Sequence, residues 1–286
     1  MNVYEIITQR IMDKLEQGTV PWHKPWASNS EMPKNLISKK TYRGINVFML
    51  HMAGYSSPYW LSYKQASELG GTVKKGEHGL PIVFWNWKET KNEETGKKEK
   101  IPFIRYYTVF NADQCSGLES KVPAIPDFNP LDFNPITECE GILNGMSDKP
   151  EITHNEAKAY YRPSNDTVNM PKQETFCSVP DYYSVLFHEL VHSTGHEKRL
   201  NRHKEQLNHN FGSNDYSKEE LIAEMGASFL SGLTGITTNT IDNSAAYIKS
   251  WLVRLKDDPK MVVMAAAKAQ KAVDYITGKQ IEDLAV

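Results

Sequence analysis

The 286-residue chain contains only three cysteines, no long apolar run and almost no net charge. Cys115, Cys139 and Cys177 are an odd number at wide spacing, which argues against a disulfide framework and against a cysteine-based zinc cluster. No window of 18 consecutive apolar residues occurs, so a membrane-spanning helix is not expected. The first 18 residues carry charges throughout, unlike a signal peptide. These absences predict a cytoplasmic protein with reduced thiols and no membrane partner.

The small net charge conceals an uneven distribution along the chain. Residues 1–120 contain 16 Lys and Arg against 12 Asp and Glu, a net +4, whereas residues 121–286 contain 17 against 23, a net −6. Such a difference indicates two parts with different partners. Four prolines within residues 119–135 predict an extended, semi-rigid linker at 121–135. We therefore expect a two-domain α+β protein, with a first domain at 1–120 and a second at 136–286.

The second domain contains the H-E-x-x-H pattern at residues 188–192, within a segment of helical periodicity. Residues four apart lie on one face of a helix, so His188 and His192 can present two imidazoles to a single metal ion. Glu189 points elsewhere and is predicted to be the general base that takes a proton from a metal-bound water. A chance pair of histidines on a buried helix is the simpler explanation. The apolar residues before His188 and the helix-ending Gly195 favour the metal site.

A later helix, beginning at Ser217, is predicted to supply the third ligand. Catalytic zinc needs three protein ligands and an open position, and two histidines with a glutamate form a common set. We assign Glu220 as the third ligand and Glu224 as a carboxylate that orients one histidine. The reverse assignment and a purely capping role for Glu220 are the alternatives. His196 is interpreted as a residue on the rim of the site.

The first domain interleaves aromatic residues with lysine and arginine. The pattern predicts an amphipathic helix over 2–17, a Pro- and Trp-rich stretch at 19–26, and two strands at 81–87 and 101–111 joined by a charged connection. Aromatic side chains beside a cationic groove are what a protein needs to hold single-stranded DNA without reading its sequence. A hydrophobic core is the competing explanation for tryptophans in a small domain. The candidate DNA-binding residues are Trp22, Lys24, Trp26, Tyr42, Arg43, Lys64, Lys74, Lys75 and Trp85.

Several short motifs occur along nearly the full length of the chain, and their combination is specific enough to indicate a protein family. In this combination the chain resembles the ArdC-type antirestriction proteins of conjugative plasmids and phages. The departure from related zinc sites is a Glu at position 224, where Asp or Asn is more common. The motifs that carry the resemblance lie at 21–26, 42–46, 65–71, 73–77, 109–111, 160–171, 188–192 and 219–224.

The resemblance implies a single-stranded DNA-binding domain followed by a zincin-like metallopeptidase domain, which together protect incoming mobile-element DNA from restriction in the bacterial cytoplasm. The expected partners are single-stranded DNA and an unidentified protein substrate. Zn²⁺ is the expected metal for this donor set, with Mn²⁺ or Co²⁺ as alternatives. Two further hypotheses are a DNA-coating protein with a structural metal and no turnover, and a cytosolic metallopeptidase that does not bind DNA.

Overall fold

The computed structural model describes residues 2–22, 32–91, 98–123, 135–202, 214–236 and 245–279. These residues form two compact units. The first unit contains 2–9 and 32–123, and the second contains 10–22 together with the described residues from 135 onward. The division therefore falls within helix α1 (Val3–Glu16), whereas the sequence placed all of 1–120 in one domain. Most of the predicted linker at 121–135 lies outside the described residues.

The first unit is built around a four-stranded sheet with the order β1-β2-β5-β4. The strands β1 and β2 pair in parallel and the other two pairs are antiparallel. The long hairpin of β4 and β5 contains the two strands predicted from the alternating pattern. The elements of this unit are β1 (Lys34–Asn35), α2 (Ile45–His51), β2 (Tyr59–Leu61), α3 (Tyr63–Glu68), β3 (Thr72–Val73), β4 (Leu80–Lys91), β5 (Lys98–Asn111) and β6 (Cys115–Ser116).

Helix α2 covers the outer edge of the hairpin. The Asn46 side-chain amide donates to the Val83 carbonyl and accepts from the Val83 N–H, both at 2.7 Å. These bonds satisfy backbone groups of an edge strand that would otherwise lack a partner. Beneath α2, the apolar side chains of the sheet form one part of the core, which contains Tyr42, Leu50, Trp60, Ile82 and Val109.

In the residues that the structure describes from 135 onward, the second unit combines a small sheet with five helices. Its three strands, in the order β7-β9-β8, are β7 (Glu151–Thr153), β8 (Tyr160–Arg162) and β9 (Thr167–Asn169). Strands β8 and β9 pair in antiparallel fashion, and Asp166, with a φ of 53°, lies in the turn between them. The helices are α4 (Pro135–Gly145), α5 (Val179–Ser193), α6 (Asn214–Thr234), α7 (Ala245–Asp257) and α8 (Met261–Ile276).

Helix α6 packs against both α5 and α8, and α5 also contacts β8 and β9. The apolar face of α5, with Leu186, Phe187 and Leu190, is fully buried between these elements. Residues on the other side of α5 are therefore the ones available for binding or catalysis. None of the helices in the described ranges combines the length and the apolar character that a membrane crossing requires.

Candidate metal centre

The two predicted histidine ligands lie one turn apart on α5. The helix begins after Ser178, whose hydroxyl accepts a hydrogen bond from the Asp181 N–H, and Pro180 occupies its first turn. The four-residue spacing brings the Nε2 atoms of His188 and His192 to 3.0 Å from each other. Their side chains are 25% and 14% exposed. The pair is therefore held by the helix and stays open to solvent on one side.

Glu220 of α6 completes the set. Its two carboxylate oxygens lie 3.6 Å from His188 Nε2 and 3.6 Å from His192 Nε2. One ligand atom from each of the three residues lies within 4.8 Å of the others. Two imidazoles and a carboxylate are donors that zinc and other divalent transition metals use. The chemistry of this donor set fits a divalent metal ion.

Gly226 allows α6 to approach α5 closely enough for this geometry. A Cβ atom at position 226 would lie 2.7 Å from one methyl group of Val191 and 2.9 Å from the other. Real Cβ atoms do not approach other atoms so closely. The close contact between the two helices therefore requires the glycine at position 226.

Carboxylates surround the histidine pair. Glu189 follows His188 on α5 and is only 8% exposed. Burial acts to lower the pKa of His192, and the nearby carboxylates of Glu219, Glu220 and Glu189 outweigh that effect, so the pKa is raised. Such an excess of negative charge attracts a cation. It also leaves Glu189 beside the ligands as a group that can exchange a proton.

A buried ion pair that the sequence analysis missed supports His192. Glu219 Oε1 lies 3.5 Å from His192 Nδ1, the ring nitrogen that faces away from Glu220. Arg202 donates to both oxygens of Glu219, at 2.7 and 3.3 Å, and also to the Val191 carbonyl and the Thr194 hydroxyl. Glu219 and Arg202 are both buried. The available signal was that Glu219 directly precedes the predicted ligand in a helix.

Glu224, predicted to orient one histidine, accepts hydrogen bonds from two other residues in the structure. Its Oε2 accepts hydrogen bonds from the Trp22 indole N–H, at 2.8 Å, and from the Tyr247 hydroxyl. Burial first, and then the Glu224 carboxylate, raise the pKa of Tyr247. Glu224 lies one turn beyond Glu220 on α6, and these contacts connect it to α7 and to the chain after α1. The carboxylate beside His192 Nδ1 is that of Glu219.

Two of the predicted base-stacking residues are buried. Trp22 is 1% exposed, and its ring packs edge-on against Trp251 in the second unit. Tyr42 is 7% exposed and belongs to the core beneath α2. Neither ring can stack on a base, so the competing explanation of core packing is correct for both. Lys24 and Trp26 lie outside the described residues, as does the side chain of Trp85.

Four of the predicted cationic residues are described, and three of them, Lys64, Lys74 and Lys75, are exposed on the first unit. Lys75 is exposed, Lys74 donates to the Asp113 carbonyl at 2.8 Å, and Lys64 pairs with Glu68 at 3.7 Å. Arg43 is half-buried at the start of α2. Among the side chains of this unit that the structure describes, the exposed aromatic ones are Tyr55, Tyr63, Tyr106 and Tyr107, none of which was predicted to bind DNA. The alternation of side chains along a strand could have indicated this exposure. Adjacent residues of β5 face opposite sides of the sheet, so Tyr106 and Tyr107 cannot both lie in one core.

Comparison with known proteins places the chain in a family. Residues 1–110 match the N-terminal domain of anti-restriction factor ArdC, and residues 142–268 match a zincin-like metallopeptidase family. The metal-free crystal structure of the antirestriction ArdC protein from the R388 plasmid is similar over 96% of this chain and 97% of its own, with 39% identity and a TM-score of 0.76. This chain belongs to the ArdC antirestriction family. The resemblance predicted from the motifs and the two-domain α+β fold are thereby confirmed.

Other relatives extend this comparison. The Mn(II)-bound structure of the same R388 ArdC protein is similar at 38% identity and a TM-score of 0.76, over 97% of this chain and 98% of that one. An uncharacterized Sinorhizobium fredii protein, y4eC, is 32% identical over 98% of this chain and 92% of its own length. A DNA primase TraC of Escherichia coli is 35% identical, but the chain spans only 20% of that protein. A second TraC primase, 36% identical, is spanned over 28% of its length.

Proposed function

We propose that this ArdC-family protein binds single-stranded DNA through its first unit and protects mobile-element DNA from restriction as it enters a bacterial cytoplasm. The observation that carries this proposal is the match to the N-terminal domain of an anti-restriction factor, within a 39% identity to R388 ArdC that spans nearly both chains. The net +4 of residues 1–120 supports it, because phosphate neutralisation supplies most sequence-independent binding to DNA. The TraC relatives, which are named DNA primases, are also linked to DNA by their names.

The second unit, on this proposal, holds a divalent metal ion on His188, His192 and Glu220. The support is the donor set itself, together with the Mn(II)-bound structure of the R388 relative. Zn²⁺ is the expected ion for two histidines and a glutamate, and Mn²⁺ or Co²⁺ can occupy the same donors. When bound, the ion would supply Lewis acidity. Glu189 would hold and transfer the proton that hydrolysis of a peptide bond requires.

The sheet of the second unit suits an extended polypeptide substrate. Strand β8 is an edge of that sheet, and it packs beside α5, the helix that carries both histidines. An extended peptide can add to such an edge by main-chain hydrogen bonds. The substrate would then be a protein, either one that meets the DNA or a second copy of this chain.

DNA binding is tested by fluorescence anisotropy with labelled single-stranded and duplex oligonucleotides at two salt concentrations. Tighter binding to the single strand, weakening as salt rises, is expected for stacking combined with phosphate contacts. An absence of binding to either form would overturn the proposal. Attention would then turn to a peptidase that does not bind DNA.

The role of the metal site is tested with Glu189→Gln, using Glu197→Gln as a control with the same loss of charge at an exposed position after α5. The readout is the transfer of unmodified plasmid DNA into recipients with and without a restriction system. Loss of protection in Glu189→Gln alone, with metal content and fold retained, supports catalysis. Protection that survives Glu189→Gln would support DNA coating with a structural metal instead.

A further inference from the structure

The β4–β5 hairpin has two faces of different character. Directly opposed residues of an antiparallel pair point to the same side of the sheet. Ile82 opposes Tyr107, and Phe84 opposes Arg105, so these four side chains share one face. Ile82 is buried beneath α2. Phe84, the next residue of β4 on this face, is only half-buried, and Arg105 opposite it is exposed.

Three side chains of this face form a small patch, which we call the Tyr107 patch: Phe84, Arg105 and Tyr107. The ring of Tyr107 is 49% exposed and meets the ring of Phe84 edge-on, with centroids 5.6 Å apart. Arg105 is exposed and lies across from Phe84. The Phe84 ring is half-buried and holds the tyrosine ring in place. An exposed, supported aromatic ring thus lies beside a guanidinium group.

We propose that the Tyr107 patch is a contact surface for single-stranded DNA, where Tyr107 stacks on a base and Arg105 contacts the adjacent phosphate. This inference rests on the DNA binding proposed above and assigns it to residues. An aromatic platform beside a cation recognises the two features that every nucleotide has, a flat base and a charged phosphate. None of the three side chains is acidic, so nothing within the patch repels a phosphate.

The segment that carries Arg43 lies beside the same edge of the hairpin. The Asn46 side chain is fixed to both backbone groups of Val83, the neighbour of Phe84. The Asn46 N–H donates to the Arg43 carbonyl at 3.3 Å, so the chain that carries Arg43 runs beside this edge of β4. Arg43, a predicted DNA-binding residue, therefore belongs to the segment whose backbone lies beside this edge.

On the opposite face, the hairpin side chains that the structure describes include no lysine or arginine beside the exposed tyrosine. Tyr106 is 56% exposed there and opposes Val83. The exposed Tyr63 lies near Phe110, four residues along β5 from Tyr106, a separation of about 13 Å along the strand. Lys64, which follows Tyr63, is paired with Glu68. The two faces therefore offer a matched comparison between neighbouring, similarly exposed tyrosines.

The test compares full-length Tyr107→Ala, Tyr106→Ala and Tyr107→Phe with the wild type by anisotropy on a labelled oligothymidylate. Loss of one base-stacking contact is expected to weaken binding about tenfold in Tyr107→Ala. Tyr106→Ala should bind the oligonucleotide within about twofold of the wild type, because Tyr106 lies on the other face of the hairpin. Tyr107→Phe should also bind within about twofold, because it retains the aromatic ring. Urea unfolding of each variant separates loss of binding from loss of fold.

Arg105 gives an independent arm of the same test. Arg105→Gln should reduce the slope of log affinity against log salt by about 0.7, the contribution of one phosphate contact on a single strand, and Arg105→Lys should retain it. Wild-type binding with no loss in Tyr107→Ala, or with an equal loss in Tyr106→Ala, would overturn the Tyr107 patch and leave DNA binding standing. No binding by the wild type would overturn the proposed function itself.

Discussion

The metal centre and the Tyr107 patch differ in how directly the sequence encodes them. The histidines of the metal centre are four apart on one helix, and helical geometry alone brings them together. The patch joins residues of two strands whose pairing and burial depend on the tertiary fold. A site built on one element can be inferred from spacing, whereas a surface built across elements can be inferred only once the core is known. Two predictions compare contacts in the unit that contains the metal centre with contacts in the unit that contains the Tyr107 patch, and a third compares glutamates within the unit of the metal centre.

The largest expected effect concerns the ion pair of Arg199 and Asp166, which supports the second unit. Arg199 donates to both carboxylate oxygens of Asp166, at 2.8 and 3.0 Å, and to the carbonyls of Asp148 and Ser193. Its side chain is 1% exposed. Arg199→Ala would remove these hydrogen bonds and leave the half-buried Asp166 carboxylate with Tyr161 but without its cation, so we expect a loss of about 3 kcal/mol in the free energy of unfolding. Urea unfolding measures this loss.

The first unit provides the control for that experiment. The pair of Lys64 and Glu68 is exposed, with its partners one helical turn apart. Lys64→Ala should change the free energy of unfolding by no more than about 0.5 kcal/mol. Equal losses in Arg199→Ala and Lys64→Ala would show that the burial of the Arg199 pair contributes nothing special to the second unit.

The next effect is a difference in acid sensitivity between the units. Burial lowers the pKa of His51, on α2, to about 4. The unfolded chain therefore binds a proton near pH 6.5 that the folded first unit does not bind until about pH 4. Stability of this unit should fall by about 2 to 3 kcal/mol as the pH drops through that window. His51→Gln should flatten the dependence.

The second unit should respond at a lower pH. Burial acts to raise the pKa of Asp166, but the hydrogen bonds and charge of Arg199 and Tyr161 outweigh it, so the pKa is lowered. The stabilisation that it gives is present above its ordinary value of 3.8 and is lost only as the pH falls further. Hydrogen exchange at pH 5 should therefore open α2 and β4 before the sheet of the second unit. The reverse order would contradict the assignment to His51.

The sequence predicted the two-domain α+β architecture, and the three residues proposed from it as metal ligands lie together in the structure. Amphipathic periodicity and the H-E-x-x-H spacing report local geometry, and both α5 and the β4–β5 hairpin are present as predicted. The errors concern residues whose partners are distant in sequence. Trp22 lies 202 residues from Glu224, its hydrogen-bond acceptor, and composition alone cannot distinguish a buried indole from an exposed one. The contacts of Glu224 with Trp22 and Tyr247 could not be predicted for the same reason.

The smallest predicted effect distinguishes the three glutamates of α6. Glu219 is the carboxylate beside His192 Nδ1, and loss of such an orienting partner typically lowers metal affinity 10- to 100-fold. Glu219→Gln should therefore weaken Mn²⁺ binding by about that factor in calorimetry, and Glu220→Gln should weaken it further by removing a donor. Glu224→Gln is the matched control, because its carboxylate contacts Trp22 and Tyr247 and not a histidine. If Glu224→Gln weakened Mn²⁺ binding as much as Glu219→Gln, the orienting role would return to Glu224. An unchanged Mn²⁺ affinity in Glu224→Gln would instead establish that three residues of α6, within five positions of one another, have separate roles. These roles are a metal ligand, the partner that orients His192, and a packing contact.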